Sequence, residues 1–362
     1  MSEPTNAPEN PYEPTKLGEP TPPDGSTLPG GAGGADAAET DIGLTPRWAA
    51  YRYAKRAVAP LFAVVLFAMA VRLLVGEAKK TSWDEFVGGF TSVPGTYLAL
   101  AAILVAMNYV LLSTYDMLAL RYLKRSLPLR RVLLVSFLGY SLGNNLGTLL
   151  AATPLRFRFY TRWGVPPHQI VALIAMLGLT FWSGLWFLGG SVLVAVPVRL
   201  PDEIRLPVGT RTLGAVLLSL AVIYLGACCF WRRPVGPMRL RLPSPGLMLT
   251  QASVAAVDLF ISATALYLVL PSGASINFSL VLAAYLTALA ISLITQVPGG
   301  LGVLDAILLF LMKDSVGGAV LSSILLFRCL YYFAPLVVGV IVLVVHELYS
   351  GAVMARTAEA DA

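Results

Sequence analysis

The chain has 362 residues, of which 57% are hydrophobic and 13% are charged, and it carries a formal net charge of +6. Soluble domains have about 25% charged residues, so this composition excludes an ordinary soluble protein and indicates an all-α, polytopic integral membrane protein. The three cysteines and two histidines show no spacing typical of a disulfide framework or a metal site. We therefore expect no metal, no cofactor and no nucleic-acid partner.

The N-terminal 46 residues are rich in Pro, Gly, Thr and Glu and have almost no large apolar side chains. Such a segment cannot bury a core, so we predict a disordered tail over 1–46. The apolar sequence that follows predicts a transmembrane domain over 47–350 with about seven to eight transmembrane helices, and then a short cytoplasmic tail over 351–362. The apolar runs of spanning length are 57–76, 95–115, 131–153, 169–196, 209–231, 247–270, 276–297 and 318–345.

Basic residues predict the orientation of these runs, because cytoplasmic loops of membrane proteins carry an excess of Lys and Arg. Four of them precede the first run, at Arg47, Arg52, Lys55 and Arg56, so the N-terminus is expected in the cytoplasm. The same rule conflicts with a full crossing by 131–153, because basic residues lie at both ends of that run.

The segment 139–148, in the middle of that run, contains three glycines and two asparagines, which make a poor uninterrupted helix. A re-entrant hairpin that enters from the cytoplasm and returns there removes the conflict in charge. A full crossing remains an alternative, since a run of this length can span a bilayer.

A second break in the apolar sequence is formed by Pro298, Gly299, Gly300 and Gly302. Lipid cannot hydrogen-bond the backbone groups freed there, so such a break survives only inside protein or beside a wet cavity. The flanking run 276–297 and the shorter run 301–312 predict a second re-entrant hairpin, entering from outside. Two broken segments in corresponding places are typical of inverted-topology repeats with a site near the bilayer midplane.

Ionisable residues within the apolar runs are the first candidates for a functional site. Asp258 lies near the centre of 247–270, Arg328 lies within 318–345, and Asp305 follows the second break. Such groups usually pair with one another or line a polar path, so we expect Arg328 to contact Asp258 or Asp305 near the midplane. The alternative is a contact that only holds helices together.

The segment 155–163 interleaves three arginines with aromatic residues. Arginine binds phosphate in a planar fork geometry, and aromatic rings lie well at the level of lipid headgroups. Arg156 and Arg158 are therefore candidates for contact with a phospholipid headgroup. Ordinary anchoring of a basic cytoplasmic rim is the alternative interpretation.

Four sequence elements, in this order, resemble the flippase-type transmembrane domain of the multiple peptide resistance factor family, the lysyl-phosphatidylglycerol synthase/flippases. They are Tyr115-Asp116, the stretch 141–147 followed by Leu155-Arg156, the stretch 297–302 followed by Asp305, and the stretch 326–335. The resemblance covers about residues 50–350. It implies movement of an aminoacylated or related phospholipid from the inner to the outer leaflet.

The resemblance carries over five residues as functional candidates, namely Asp116, Arg156, Asp258, Asp305 and Arg328. Asn145 and Arg158, which lie in or beside the same elements, complete the set of candidate substrate-binding residues. Asp305 stands where many relatives have glutamate, which keeps the charge but shortens the reach. We expect no synthase domain in this chain, so the resemblance does not extend to synthesis of lysyl-phosphatidylglycerol.

The sequence therefore predicts a flippase-like lipid translocator of the bacterial inner membrane, in the stand-alone form of that family. Its expected partner is membrane phospholipid, and a homo-oligomer or a separate lipid synthase is left open. One alternative is an intramembrane lipid-modifying transferase with Asp258 or Asp305 as general base, although the chain has no evident nucleophile. Another is a membrane scaffold for a partner lipid synthase.

Overall fold

The computed structural model describes Thr91 and residues 93–196, 209–231, 233–234, 241–271, 276–295, 303–316 and 320–360. Over this part the chain is helical and has no strand, as the composition predicts. The predicted disordered tail 1–46, the apolar run 57–76 and the second break at Pro298, Gly299, Gly300 and Gly302 lie outside the described residues. Those predictions therefore stay predictions.

The helices follow one another in chain order. They are α1 (Gly95–Tyr122), α2 (Leu129–Leu146), α3 (Thr153–Arg162), α4 (Pro167–Gly184), α5 (Gly190–Ala195), α6 (Thr210–Phe230), α7 (Pro245–Leu268), α8 (Phe278–Thr295), α9 (Val303–Val316), α10 (Val320–Arg328) and α11 (Ala334–Ala360). Within the described ranges, three π-helical turns interrupt them, at Thr148–Ala152 before α3, at Leu185–Gly189 between α4 and α5, and at Cys329–Phe333 between α10 and α11.

Five helical stretches of the described residues are long and apolar enough to cross a membrane. They are Gly95–Tyr122, Pro167–Ala195, Thr210–Phe230, Pro245–Leu268 and Val320–Tyr349. Each coincides with a predicted apolar run, so the chain is a polytopic helical membrane protein. The predicted total of seven to eight transmembrane helices is a finer statement that these five stretches do not decide.

The first broken segment folds back on itself. Helix α2 passes through Gly139 and Gly143 without interruption, and the chain turns only at Gly147, whose φ of 93° is one that glycine adopts without strain. The returning chain lies so close that a Cβ atom on Gly143 would be 2.8 Å from the Cβ of Ala152, and one on Gly139 would be 2.9 Å from Nη1 of Arg156. These two glycines therefore permit close packing of a hairpin and do not break α2, in contrast to the prediction from the sequence.

The two ends of this hairpin lie at the same end of the molecule. The Arg131 guanidinium, at the start of α2, is 5.2 Å from the ring centroid of Trp163, directly after α3. Nearby, Arg125 Nε donates to Gln169 Oε1 at 2.9 Å, and the Tyr122 hydroxyl donates to the Arg241 carbonyl. The end of α1 and the starts of α4 and α7 thus meet the open end of the hairpin. We call this region the basic end, because it carries Arg121, Lys124, Arg125, Arg131, Arg162 and Arg241.

The second broken segment also consists of two helices in contact. Helices α8 and α9 pack against each other and are joined by 296–302. The Phe278 ring, at the start of α8, contacts the rings of Phe260 and Tyr267 in the second half of α7. Helix α8 therefore begins beside the end of α7 that is distant from the basic end.

Helix α7 is central to the bundle, since it packs against α1, α4 and α8. Its contact with α4 is very close, because a Cβ atom on Gly184 would lie only 2.2 Å from the Cβ of Ala255. Small residues that let backbones approach are typical of membrane helix pairs, where lipid gives little hydrophobic drive for association. This packing fixes the positions of the polar side chains that α1 and α7 carry.

Candidate functional site

Asp116 and Arg156 form a buried ion pair between α1 and the hairpin. Arg156 Nε donates to Asp116 Oδ1 at 3.1 Å and Nη2 donates to Oδ2 at 3.0 Å, while the Tyr160 hydroxyl donates to Oδ1 at 2.8 Å. The Arg156 guanidinium also lies 4.9 Å from the ring centroid of Tyr140. Both charged side chains are at most 2% exposed. The bidentate hydrogen bonding and the Tyr160 hydroxyl together compensate for the free-energy cost of removing the two charges from water.

Asp258 is buried between α1 and α7 and is bound by neutral donors. Asn108 Nδ2 donates to its Oδ1 at 2.7 Å, and the Tyr115 hydroxyl donates to its Oδ2 at 2.7 Å. Asn108 Nδ2 also lies 2.9 Å from the Tyr331 hydroxyl and 3.2 Å from Ser262 Oγ. Helices α1 and α7 and the π-turn after α10 therefore meet at one polar cluster.

Arg328 and Asp305 form the third charged contact. Arg328 Nε donates to Asp305 Oδ1 at 2.6 Å, and the guanidinium lies 5.4 Å from the ring centroid of Tyr332. Arg328 is 1% exposed and Asp305 is 17% exposed. Asp305 is in the first turn of α9, where the helix dipole also favours an acid, so the pair joins the second broken segment to α10.

The π-turn Cys329–Phe333, between α10 and α11, explains how one continuous helical stretch contributes side chains to two of these clusters. A π-turn shifts the register of a helix and frees backbone carbonyls. The Tyr109 hydroxyl donates to the Tyr331 carbonyl at 3.0 Å, and Asn145 Nδ2 donates to the Tyr332 carbonyl at 3.0 Å. Asn145 thus stabilises the π-turn from the end of α2, beside the place where the hairpin turns.

The structure brings together some of the residues that the sequence singled out and separates others. The expected contact of Arg328 with an aspartate is present, and its partner is Asp305. Asp258 has a cluster of its own. Arg156 is buried against Asp116, and Arg158 pairs with Glu347 at 2.5 Å, so both of these candidate arginines have partners within the chain. A group of three or more metal-binding side chains is absent from the part of the chain described.

The uncharged side chains of the site were not predicted from the sequence. Asn108 and Tyr115 are seven residues apart, so they lie on one face of α1, and both are buried. The signal available was an asparagine in the middle of an apolar helix. Tyr160, Tyr331 and Ser262 gave no such signal, because hydroxyl-bearing residues are common in membrane helices as packing residues.

Comparison with known proteins identifies relatives of the whole membrane domain, although no family model matches the chain. The uncharacterized protein slr0712 of Synechocystis sp. is 33% identical over 276 residues, which cover 75% of this chain and 86% of that protein. The inner membrane protein YbhN of Escherichia coli is 32% identical over 302 residues, covering 82% and 92% respectively.

A more distant similarity extends to a larger protein. The phosphatidylglycerol lysyltransferase of Staphylococcus haemolyticus is 25% identical over 291 residues, which cover 78% of this chain but only 33% of the lysyltransferase. The expected relationship to lysyl-phosphatidylglycerol synthase/flippases is therefore supported as distant homology. At 32–33% identity over most of both chains, this protein belongs to the same family as YbhN and slr0712.

Proposed function

We propose that this protein is a lipid translocator of the bacterial inner membrane, which moves a phospholipid or an aminoacylated phospholipid between the leaflets. The observation that carries the proposal is that the three polar clusters lie at different distances from the basic end, along the length of the bundle. Charged groups are costly within a bilayer and are usually kept there for function. A series of them at successive depths suits the passage of a polar headgroup.

The distance of each cluster from the basic end follows from the position of its charged residue along its helix. Asp116 lies six residues before the end of α1, which is about 9 Å from the basic end at 1.5 Å per residue. Asp258 lies thirteen residues after the start of α7, about 20 Å from that end. Arg328 lies nineteen residues before Glu347, whose partner Arg158 lies one turn before the end of α3, so Arg328 is farther from the basic end than Asp258 is. The three clusters therefore lie at increasing distances from the basic end, over a length comparable to the apolar core of a bilayer, which is about 30 Å.

Aromatic side chains link one cluster to the next. The Tyr115 and Tyr140 rings are 6.0 Å apart and lie between Asp258 and the Arg156 guanidinium. The Tyr331 and Tyr332 rings are 5.2 Å apart and lie between the Asp258 cluster and Arg328. A headgroup could exchange contacts along these side chains, while the two broken segments separate locally to admit it. In this proposal the first hairpin enters from the cytoplasm and the second from outside.

The relatives support lipid as the substrate class. Phosphatidylglycerol lysyltransferases act, by their name, on a phospholipid, and the similarity covers 78% of this chain. The name of YbhN supports the inner membrane as the location. The substrate-binding roles proposed for Asp305 and Arg328 rest on their position at the second broken segment.

The proposal is tested with purified protein in liposomes that contain reporter forms of phosphatidylglycerol, lysyl-phosphatidylglycerol and phosphatidylethanolamine. Arg328→Ala and Asp305→Asn should each slow lipid movement about tenfold or more, because a charge-assisted hydrogen bond is worth about 1.5–3 kcal/mol. The matched control is Arg211→Ala, since Arg211 is exposed in the first turn of α6.

Two results would contradict the proposal. Lipid movement that is absent from liposomes of the wild-type protein, but returns when a partner synthase is added, would favour the scaffold alternative. Recovery of a chemically modified reporter lipid, seen by mass spectrometry, would favour the transferase alternative.

A further inference from the structure

The aspartates of the three polar clusters differ in how their charge is compensated. Asp116 is paired with Arg156, and Asp305 is paired with Arg328. Among the residues described by the structure, the Asp258 carboxylate contacts only the Asn108 amide and the Tyr115 hydroxyl, which are neutral. A carboxylate in an apolar interior is expensive unless a cation, or a bound proton, removes its charge.

We propose that Asp258 is a proton-binding site, and that the proton it takes up and releases is coupled to lipid movement. This inference rests on the proposed function and adds to it a source of energy. The site is the cluster of Asp258, Asn108, Tyr115, Ser262 and Tyr331, which lies about 20 Å from the basic end and so near the middle of the bilayer.

The hydrogen-bond geometry around Asp258 can accommodate its carboxyl group in both the charged and the protonated state. In the charged state, Oδ1 and Oδ2 each accept one short hydrogen bond, as observed. In the neutral state, Oδ2–H can donate to the Tyr115 hydroxyl oxygen, because a hydroxyl both donates and accepts. The Asn108 carbonyl oxygen, which is buried without a hydrogen-bond partner among the described residues, is a second acceptor beside the carboxyl. A proton taken up by Asp258 therefore has a hydrogen-bond acceptor within the cluster.

The groups around Asp258 do not offer another proton carrier of ordinary acidity. In the described part of the chain, the titratable side chains near Asp258 include six tyrosines of α1, α2, α8 and the π-turn, namely Tyr109, Tyr115, Tyr140, Tyr285, Tyr331 and Tyr332. The charged residue of α10, Arg328, is engaged with Asp305. Tyrosine side chains stay protonated at neutral pH, so they can relay hydrogen bonds but not store the proton.

The remaining elements that pack on α7 contribute no charge at this position. Helix α4 contacts α7 through Gly184 and Ala255, whereas its one histidine, His168, lies about four turns away in the first turn. Helix α6 contacts α7 through Tyr224 and Cys228, which pack on Met248 near the basic end. Asp258 is therefore the only carboxyl in the described residues whose charge is balanced solely by neutral donors in the middle of the bundle.

The binding site can be tested without any assay of transport. The infrared spectrum of the purified protein, recorded as the pH is lowered, should gain the carbonyl band of a buried protonated carboxylic acid. Asp258→Asn should remove this band. The controls Asp116→Asn and His346→Gln should retain it, because Asp116 is held by Arg156 and His346 lies beside Phe159, in the middle of α11. A band that persists in Asp258→Asn would overturn the proposal.

The coupling is tested in the liposomes that report lipid movement. An imposed gradient of about one pH unit should change the ratio of reporter lipid in the two leaflets by up to about tenfold, if one proton accompanies each lipid. Asp258→Asn should abolish this response, and His346→Gln should leave it unchanged. A wild-type response to a sodium gradient, but none to a pH gradient, would assign the site to a metal cation and overturn the proposal.

The two failures can be told apart. If lipid moves but ignores the pH gradient, the inference is wrong and the proposed function stands. If no lipid moves under any condition, the proposed function fails, and the infrared experiment still decides whether Asp258 binds a proton.

Discussion

The buried charges of this protein do not all have the same purpose. The Asp116–Arg156 pair has the geometry of a structural contact, because both carboxylate oxygens and two guanidinium nitrogens are used, and Tyr160 adds a third hydrogen bond. Little of either group is left to bind a headgroup in this arrangement. In the arrangement observed, the pair holds the first hairpin to α1, and a headgroup could contact it only after the hairpin separates locally, as the proposed function requires.

We expect Arg156→Ala to destabilise the protein by about 3–5 kcal/mol, because removal of one partner leaves Asp116 buried with its charge uncompensated. Adding Asp116→Asn should recover part of this loss. Arg158→Ala is the control, with an expected cost below about 1 kcal/mol, since the Arg158–Glu347 pair is partly exposed at 27% and 14%. Chemical unfolding in detergent measures these differences. Equal effects of Arg156→Ala and Arg158→Ala would show that Arg156 is not a structural residue.

At the residue scale, the sequence predicted the charged members of the site and missed the neutral ones. A charge within an apolar run is conspicuous, so Asp258 and Arg328 could be identified and Arg328 could be assigned an aspartate partner. Which aspartate it contacts depends on the π-turn and on the path of α9, and neither leaves a local pattern. Asn108 was overlooked because its partners are more than a hundred residues away in the chain.

Close packing at glycine determines how the helices of the bundle fit together. Gly184 on α4 meets Ala255 on α7, and Gly339 on α11 meets Ser141 on α2, where an added Cβ atom would lie 2.2 Å from Ser141 Oγ. In both places a side chain would push apart elements that carry the polar clusters. Gly184 and Gly339 therefore act as packing residues within helices, even though glycine costs about 1 kcal/mol of helix stability relative to alanine.

Helix packing at α4 and α7 gives a matched pair of variants. Gly184→Ala should destabilise the protein by about 1–3 kcal/mol, because its new methyl group overlaps Ala255. Gly178→Ala, on the same helix, should be neutral or slightly stabilising, since nothing lies within 4 Å of the added carbon. Adding Ala255→Gly should recover part of the loss caused by Gly184→Ala. Thermal unfolding in detergent measures the series, and equal melting temperatures for Gly184→Ala and Gly178→Ala would contradict this account.

At the element scale, the apolar runs predicted helices that the structure contains. The position of the first break was predicted less well, because glycine serves both turns and close contacts, and only the tertiary structure shows which. Gly143 and Gly147 are one helical turn apart, yet the first packs against Ala152 and the second begins the turn. The π-turns could not be predicted, since they depend on partners such as Asn145 that satisfy the displaced carbonyls.

In the molecule as a whole, the basic residues and both ends of the first hairpin lie at the same end of the helix bundle. The arginines of the basic end come from four segments of the chain, at the ends of α1 and α3 and the starts of α2 and α7, and the structure brings them together. Excess Lys and Arg are typical of the cytoplasmic side, so this end is expected to face the cytoplasm. Both ends of the first hairpin lie there, which is the arrangement that the re-entrant interpretation of 131–153 requires.

This topology predicts which side of the membrane two positions occupy. Thr161 is exposed in the last turn of α3, at the basic end, and α7 leads away from that end over 24 residues, about 36 Å, which is enough to cross. Single cysteines replacing Thr161 and Ser272, in a chain without its three native thiols, are treated in intact cells with an impermeant thiol reagent. Only the cysteine at 272 should react. After the cells are permeabilised, the cysteine at 161 should react as well, which shows that it is accessible. A cysteine at 161 that reacts in intact cells would contradict the cytoplasmic placement of the basic end, and with it the re-entrant interpretation of 131–153.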